Sequence, residues 1–500
     1  MIFLMPHRHL EAALKEIDSG IRSGRGAAAR HEIQRLSKDK IPRKFAVPLA
    51  TLARRADVPL LGLRILNPIV RPTRKVKCDP SSDELVEYAF CLTNSGCHQE
   101  ALKTLETVNP EQSPQAWLAK TFSLVAQWNY GATIDLLRAY CEAPLLNDYQ
   151  RLVGRANLVA ALVWEQKEEE AETLLSSLLD QTMSGGHHLL HGKLLSLRAQ
   201  NVITCHHWDK AKEYLSAAEA FLAPMHGLDH LLIRKWHAAY DLQRSRDATT
   251  LKALRAIRTE GLGIQHWETV RHCDYLEAII CKDEKLVQRV YFGTPYASFR
   301  DRLLKDFGGK VRLPENYLWS LGEKGVSQEM LDILQSESNP SIKLGQALHR
   351  TLQCLASDFY RPLRVSTIHY AIYPEEFYNP FSSPWRVHQI LKRLRQKLKR
   401  DRVPLRVIET GGLYSLGAIY AVKLKVPKEI RFQPRDDFQL QRLRLVLTAD
   451  AFTVREAAKA LGIAQPTALK LLQGALAKES VERNGKGRAT TYRFPNQKVA

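Results

Sequence analysis

A small alanine recurs at Ala101, Ala132, Ala171 and Ala211, each time near the start of a helical stretch that follows another helical stretch across a short polar turn. The intervals, 31 to 40 residues, are those of a stacked array of helical hairpins. Tyr88, Ala89 and Leu92 precede the first alanine; Trp117, Leu118 and Phe122 the second; Ala156, Leu158 and Ala161 the third; Leu194, Leu197 and Ala199 the fourth. Further pairs run through Trp236 to Ile257 and His272 to Val290. One hairpin cannot bury its apolar face alone, so neighbours stack and leave an extended concave surface. This pattern constrains residues 78–290 to a mainly α solenoid whose groove would take a protein or peptide ligand.

Within that region, YAFCLTNSGCHQEALKTLETVNP carries Gly96, Ala101, Leu105 and Pro110 near the glycine, alanine, bulky and proline positions of the tetratricopeptide repeat, which it resembles. Later units keep only the alanine and the apolar positions and exceed the standard period. The likeness is therefore to the divergent repeats found in bacterial regulators.

Residues 1–77 read as a basic helical cap. Leu10, Leu14 and Ile17 form one apolar stripe, Ile33 and Leu36 begin another, and Gly20, Gly24, Gly26 and Pro42 separate the helices. Arg22, Arg25, Arg30, Arg35, Lys38, Lys40, Arg43 and Lys44 are either solvated helix faces or an accessory nucleic-acid contact. Arg71 to Lys77 reads as a basic linker. Residues 291–341 break the repeat rhythm; this connector is expected to hold a helix around Phe299 to Phe307 and short strands at Lys310 to Leu313 and Tyr317 to Leu321.

A different pattern begins at residue 342. Helices are expected from Ile342 to Ser357, with Leu344, Leu348, Leu352 and Leu355 inward, and from Arg364 to Ala371. A third, from Trp385 to Arg400, sets Val387, Leu391, Leu394 and Leu398 on one face, with Ile390 beside them. Trp385, Gln389, Lys392, Arg393, Gln396, Lys399 and Arg400 fall roughly opposite. Leu405 to Ile408, Thr410-Gly411-Gly412 and Leu413 to Leu416 then read as strand, turn and strand. Val387, His388, Ile390, Leu394, Arg395, Lys397, Leu398, Gly411, Gly412 and Tyr414 match the recognition helix and wing of the OmpR/PhoB-type winged helix, which residues 342–422 resemble. That family's amino-terminal strands are not evident here, and Tyr373 to Pro384 inserts an aromatic, proline-rich loop. The resemblance implies that Trp385, Arg386, Gln389, Lys392, Arg393, Gln396, Lys399 and Arg400 face duplex DNA, with Arg and Lys donating to guanine edges or phosphates and Gln to adenine.

Lys423 to Pro434 reads as a linker to a second unit, 435–500. Phe438 to Leu447 is a helix; Thr453 and Glu456 form a capping box for Val454 to Leu461; Gly462 and Ile463 turn the chain into a helix from Gln465 to Ala477, with Pro466 in its first turn. Val481 to Arg483 and Thr490 to Phe494 read as a two-stranded wing. This unit resembles the MarR- or ArsR-like winged helix-turn-helix, which implies that Gln465, Thr467, Ala468, Lys470 and Gln473 face bases or phosphates and that Lys486 and Arg488 grip the backbone from the wing. Dimerisation or protein binding through this copy is the alternative.

Charge placement agrees with this division. Residues 342–500 hold 29 Lys/Arg against 12 Asp/Glu, residues 1–77 hold 17 against 6, and the overall balance of +20 leaves the middle at −8. Basic ends suit a polyanion and an acidic centre something else. The eight cysteines are scattered without C-x-x-C spacing, and no apolar run has the length of a secretory or spanning segment, so a reduced, cytoplasmic setting with no membrane partner is expected. No nucleophile elbow, P-loop or motif-bearing acid pair is present, Gly261-Leu262-Gly263 follows no strand, and His187, His188, His191, His206 and His207 lack a zinc pattern. Neither catalysis nor a metal or other cofactor is expected. Trp117, Trp128, Trp164, Trp208, Trp236 and Trp267 are either stacking residues between helices or a ligand cage. The resemblances together imply a bacterial sequence-specific transcription regulator, alone or as a homodimer. The alternative is a helical-repeat adaptor whose winged helices bind protein.

Overall fold

The computed structural model describes residues 7–22, 25–39, 41–71, 79–205, 207–225, 227–309, 311–322, 329–334, 342–430, 432, 435–447, 451–485 and 490–495. The amino-terminal helices are α1 (His7–Arg22), α2 (Gly26–Leu36), α3 (Ala46–Arg55) and α4 (Pro59–Val70). Paired helices follow: α5 (Ser82–Asn94) and α6 (His98–Leu105), α7 (Gln115–Val125) and α8 (Ile134–Glu142), α9 (Asp148–Trp164) and α10 (Glu168–Ser184). The series continues with α11 (His188–Thr204) and α12 (Ala211–Leu222), α13 (Leu228–Ser245) and α14 (Ala248–Gly263), α15 (Trp267–Cys281) and α16 (Glu284–Phe292), and then α17 (Ala297–Phe307). Next come β1 (Asn316–Leu321), β2 (Met330–Leu331), α18 (Ala347–Leu355), β3 (Leu363–Arg364), α19 (Val365–Ile372), α20 (Ser383–Arg400), β4 (Leu405–Thr410), β5 (Leu413–Ala418) and β6 (Val422–Pro427). The chain ends with α21 (Arg435–Val446), α22 (Val454–Leu461), α23 (Gln465–Ala477), β7 (Glu482–Asn484) and β8 (Thr491–Arg493). Among the described residues, no helix is long and apolar enough to cross a membrane.

The chain forms two compact units. One comprises Met1–Tyr317, Leu355–Gln389 and Ile408–Ser415; the other comprises Leu318–Cys354, Ile390–Val407 and Leu416–Ala500.

The first unit is an array of helical hairpins in which each helix packs on the next and, in several places, on the next but one. Four of its helices start where side chains satisfy free amides of the first turn: Ser81 with Glu84 and Asn147 with Gln150 form capping boxes for α5 and α9, and Asp247 and Asp283 cap α14 and α16. Ala101, Ala171 and Ala211 are fully buried between helices. Ala132 is not: it is exposed in a short 3-10 turn, and Ile134, at 5% exposure, opens the second helix of that hairpin instead. α3 and α4 continue the stack onto α5, where Gly62 lies so close that a Cβ would stand 2.6 Å from Cys91 Sγ.

Three of the amino-terminal cations hold this junction. Arg43 pairs with Glu84 at 2.7 Å, Arg54 with Glu87 at 2.7 Å, and Arg71, expected in a linker, with Glu100 at 2.7 Å. Gly20 lies within α1 and does not end it. At the far end of the array, the fully buried Arg271 bonds Asp358 at 2.7 Å, Glu268 at 3.1 Å and Thr294 at 2.9 Å. The segment after α18 is thereby fixed to α15.

α19 and the loop after it sit on the α5–α6 turn. Ser366 Oγ donates to the carbonyl of Ser95, and the amide of Tyr378 donates to Glu100 at 2.8 Å. Gly96 turns the chain at φ +85, and a Cβ there would meet Thr367 Oγ1 at 2.4 Å, so the turn needs glycine twice over.

In the second unit β6 lies between β1 and β2, running parallel to β2 with Leu331 opposite Leu424. The expected linker at 423–434 is thus in part a central strand: Val422, Leu424 and Val426 are buried and alternate with Lys423 and Lys425. The expected strand at 310–313 does not form over its described residues, 311–313. α18 starts at Ala347 rather than Ile342, because Gly345 takes φ +72, outside the helical region, where a Cβ would collide with the Arg435 backbone at 2.5 Å. A further sheet has the order β3-β5-β4; Leu363 and Arg364 lie opposite Tyr414 and Leu413, all four in the first unit, and the β4–β5 hairpin is turned by Gly411 and Gly412 at φ +59 and +78. In the last segment, Leu443, Phe452, Ala457, Leu472, Val481 and Tyr492 form one core, α22 carries the Thr453–Glu456 capping box, and β7 and β8 pair antiparallel with Arg483 opposite Tyr492.

Candidate functional site

The basic helix α20 follows the amphipathic pattern of its sequence. Val387, Ile390, Leu391, Leu394 and Leu398 are buried, whereas Trp385, Lys392, Arg393, Gln396, Lys399 and Arg400 are exposed. Gln389 is half-buried. Arg386 is engaged elsewhere: it forms a two-pronged pair with Glu376 and lies 4.0 Å over the Tyr373 ring, which raises its pKa further and ties it to the loop before the helix. Arg400 bonds Asp401 at 3.2 Å. Arg395 donates to the carbonyl of Val407 at 3.3 Å, linking α20 to β4, and His388 faces Tyr414 of β5 at 6.2 Å between rings.

On α23, Gln465, Thr467, Lys470 and Gln473 are exposed on one side, while Leu471, Leu472 and Ala475 are buried. Ala468, expected among the DNA-facing residues, is fully buried in the core. Lys486 and Arg488 lie outside the described residues, as does His206.

A second site is one that sequence reasoning left undecided. Of the chain's eight tryptophans, Trp128, Trp164, Trp208 and Trp236 line a cavity of about 440 Å³ inside the array. Trp117 instead packs beside the core of Tyr140, Ala143 and Leu146. The cavity exists because helices distant in sequence approach one another. The Trp128 indole donates to Glu268 at 3.0 Å, Gln166 donates to Asp306 at 3.2 Å, and Arg302 donates to the carbonyl of Trp164. Trp128 and Trp164 lie 4.8 Å apart between ring centres, and Phe299 stands edge-on to Trp128 at the same distance. Trp128 has φ +58, a costly conformation for a bulky side chain.

Charged groups are set into this aromatic wall. Arg302 pairs with Asp306 at 2.6 Å, and Asp306 also accepts from Tyr275. Lys235, 5% exposed, places Nζ 2.8 Å from His272 Nδ1. Burial pushes the Lys235 ammonium down to about 8 and His272 well below the ordinary imidazole range, so His272 is neutral and its Nδ1 accepts. Lys235, His272 and Arg302 come from α13, α15 and α17, a convergence that no local motif announces.

His191 bonds Thr182 at 3.0 Å and His207 bonds Glu168 at 2.8 Å; among the described residues no cluster of His, Cys, Asp and Glu has metal-holding geometry.

No protein family matches the chain, and no curated protein matches it. Among solved structures, it is similar to a Rap protein complexed with competence and sporulation factor, at 10% identity over 60% of this chain and 89% of that one, with a TM-score of 0.42. It is also similar to aspartyl phosphate phosphatase F from Bacillus subtilis, at 13% identity over 58% of this chain and 85% of that one, with a TM-score of 0.33. Likenesses this distant assign neither a family nor an activity.

Proposed function

We propose that this chain is a non-enzymatic helical-repeat regulator: its array takes a peptide or protein segment, and two carboxy-terminal winged helices bind duplex DNA. The observation that carries the DNA half is the exposed row Lys392, Arg393, Gln396 and Lys399 on α20, opposite buried leucines and followed directly by a glycine-turned hairpin. Such a helix suits the major groove, with cations neutralising phosphates while Arg and Gln reach base edges. α22, α23 and the β7–β8 hairpin repeat the arrangement with a more polar reading face, Gln465, Thr467, Lys470 and Gln473. The fewer cations on α23 make α20 the main source of affinity. The cavity among the tryptophans supports the array as the part that takes the ligand.

A titration of labelled duplex at several salt concentrations tests the assignment of α20. Lys392→Ala with Arg393→Ala should weaken binding and reduce the slope of log affinity against log salt by about 0.9 for each of the two that contacts a phosphate. An unchanged slope would remove these residues from the interface.

One observation favours a second reading, the adaptor. α19, the middle helix of the first winged helix, is committed to protein contact through Ser366, Thr367 and the following Tyr378 on the α5–α6 turn. Under that reading, duplex binding is that of any basic protein and disappears under excess random competitor DNA.

A further inference from the structure

We propose that the cavity of the array is a receptor for a carboxylate carried on an aromatic or branched apolar body, and that Lys235 binds the carboxylate. The proposal rests on the reading of the array as the ligand-taking part and names the chemistry of that ligand. About 440 Å³ lined by indole and phenol rings together with aliphatic side chains accommodates one large side chain or a small aromatic acid. The polar groups decide which kind.

Both carboxylates in the lining are already engaged. Glu268 accepts from the Trp128 indole at 3.0 Å and from Arg271 at 3.1 Å, and Asp306 accepts from Arg302, Gln166 and Tyr275. Arg302 is occupied as well, by Asp306, by the Trp164 carbonyl and by the Trp164 ring, 5.2 Å from its guanidinium carbon. Arg361, the remaining guanidinium of the lining, lies against Tyr296, Glu268 and Asp358, and Lys235 differs from all of these. Its hydrogen bond among the described residues goes to a neutral imidazole nitrogen and its charge lies 5.2 Å from the centre of the Trp236 ring, which leaves two of three ammonium donors without an acceptor and the charge without a counter-ion. A buried charge in that state is costly, and an incoming carboxylate supplies both the opposite charge and the missing acceptors. A cationic guest would find aromatic faces but no disengaged carboxylate, so the aromatic walls do not make a cage for quaternary ammonium. The strained backbone of Trp128, held by its own bond to Glu268, keeps one wall in place before a ligand arrives.

Two sources can supply such a carboxylate: a free small acid, or the carboxy terminus of a peptide ending in a large apolar residue. Calorimetric titration of the full chain with four probes separates them. The probes are 3-phenylpropionate, 3-phenylpropionamide, and the tetrapeptide Ala-Ala-Ala-Phe as free acid and as amide. At least one acid should bind tenfold or more tightly than its amide, and Lys235→Met should bring that acid down to the amide's level while the thermal melt stays cooperative. Binding by 3-phenylpropionate identifies a small acid as sufficient, and binding by the peptide acid alone identifies a peptide terminus. Equal binding of acid and amide peptides would overturn the carboxylate site while keeping the array as a peptide receptor. Binding of none of the four would overturn the cavity as this receptor, leaving the DNA half to the duplex titration. If Lys235→Met does not fold, the comparison of acid with amide in the unaltered protein decides.

Discussion

An ammonium that is 5% exposed and offered only an imidazole nitrogen holds its proton less firmly than a solvated lysine, which is why Lys235 lies near 8 rather than 10.5. Between those values the unfolded chain carries a proton that the folded chain has released, so stability rises with pH across that window. Below about pH 8 the penalty is fully present. Lys235→Met removes it and should raise stability at pH 7 by about 2–4 kcal/mol, from roughly 1.4 kcal/mol per pKa unit. The gap from the unaltered protein should shrink as pH approaches 10.5. Urea denaturation at pH 7 and pH 10 measures both, and a variant less stable at pH 7 would contradict the account. His266, His272 and Cys273 face the same group and their own shifts include its charge, so the difference carries their relief as well as that of Lys235. Arg271 shows the opposite solution to burial: with two carboxylates and a hydroxyl around it, its pKa is raised rather than lowered.

Among the elements, the α5–α6 turn bears the sharpest geometric demand, since Gly96 combines φ +85 with contact against Thr367. Gly96→Ala should cost about 1–3 kcal/mol, the left-handed conformation accounting for about 1–2 of it. Adding Thr367→Ala should return only the part due to the clash; full recovery in a denaturation experiment would show that conformation contributes nothing. Elements with strong local signals were legible in the sequence. Thr453 and Glu456 announce α22, Pro466 the first turn of α23, and Gly411-Gly412 the hairpin, because each acts within a few residues of itself. β6 was not legible as a strand despite its alternation, since a short stretch of Val, Leu and Lys that runs into Pro427 also suits a linker and its partner strand at Leu331 lies far away in sequence. Ala132 misleads for a similar reason: composition shows a small residue, but the 3-10 turn before α8 moves the buried position to Thr133 and Ile134. The tryptophans were visible, whereas the cavity depends on α13, α15 and α17 converging with α7 and α9, which only the folded array brings about.

At the scale of the whole molecule, the charge division gains a physical reading. Part of the amino-terminal excess is consumed in pairs with Glu84, Glu87 and Glu100, so it overstates the cationic surface that end presents. The carboxy-terminal excess behaves differently, for Lys392, Arg393 and Lys399 remain exposed. In the function proposed above, this exposed face reads duplex sequence while the array takes a ligand. That function is tested most directly by selecting bound fragments from a randomised duplex pool with the full chain at near-physiological salt. The expected result is a two-part motif, one part for α20 and one for α23, that is bound well above random duplex. Recovery of sequences no different from the starting pool would contradict it and leave the adaptor as the standing reading.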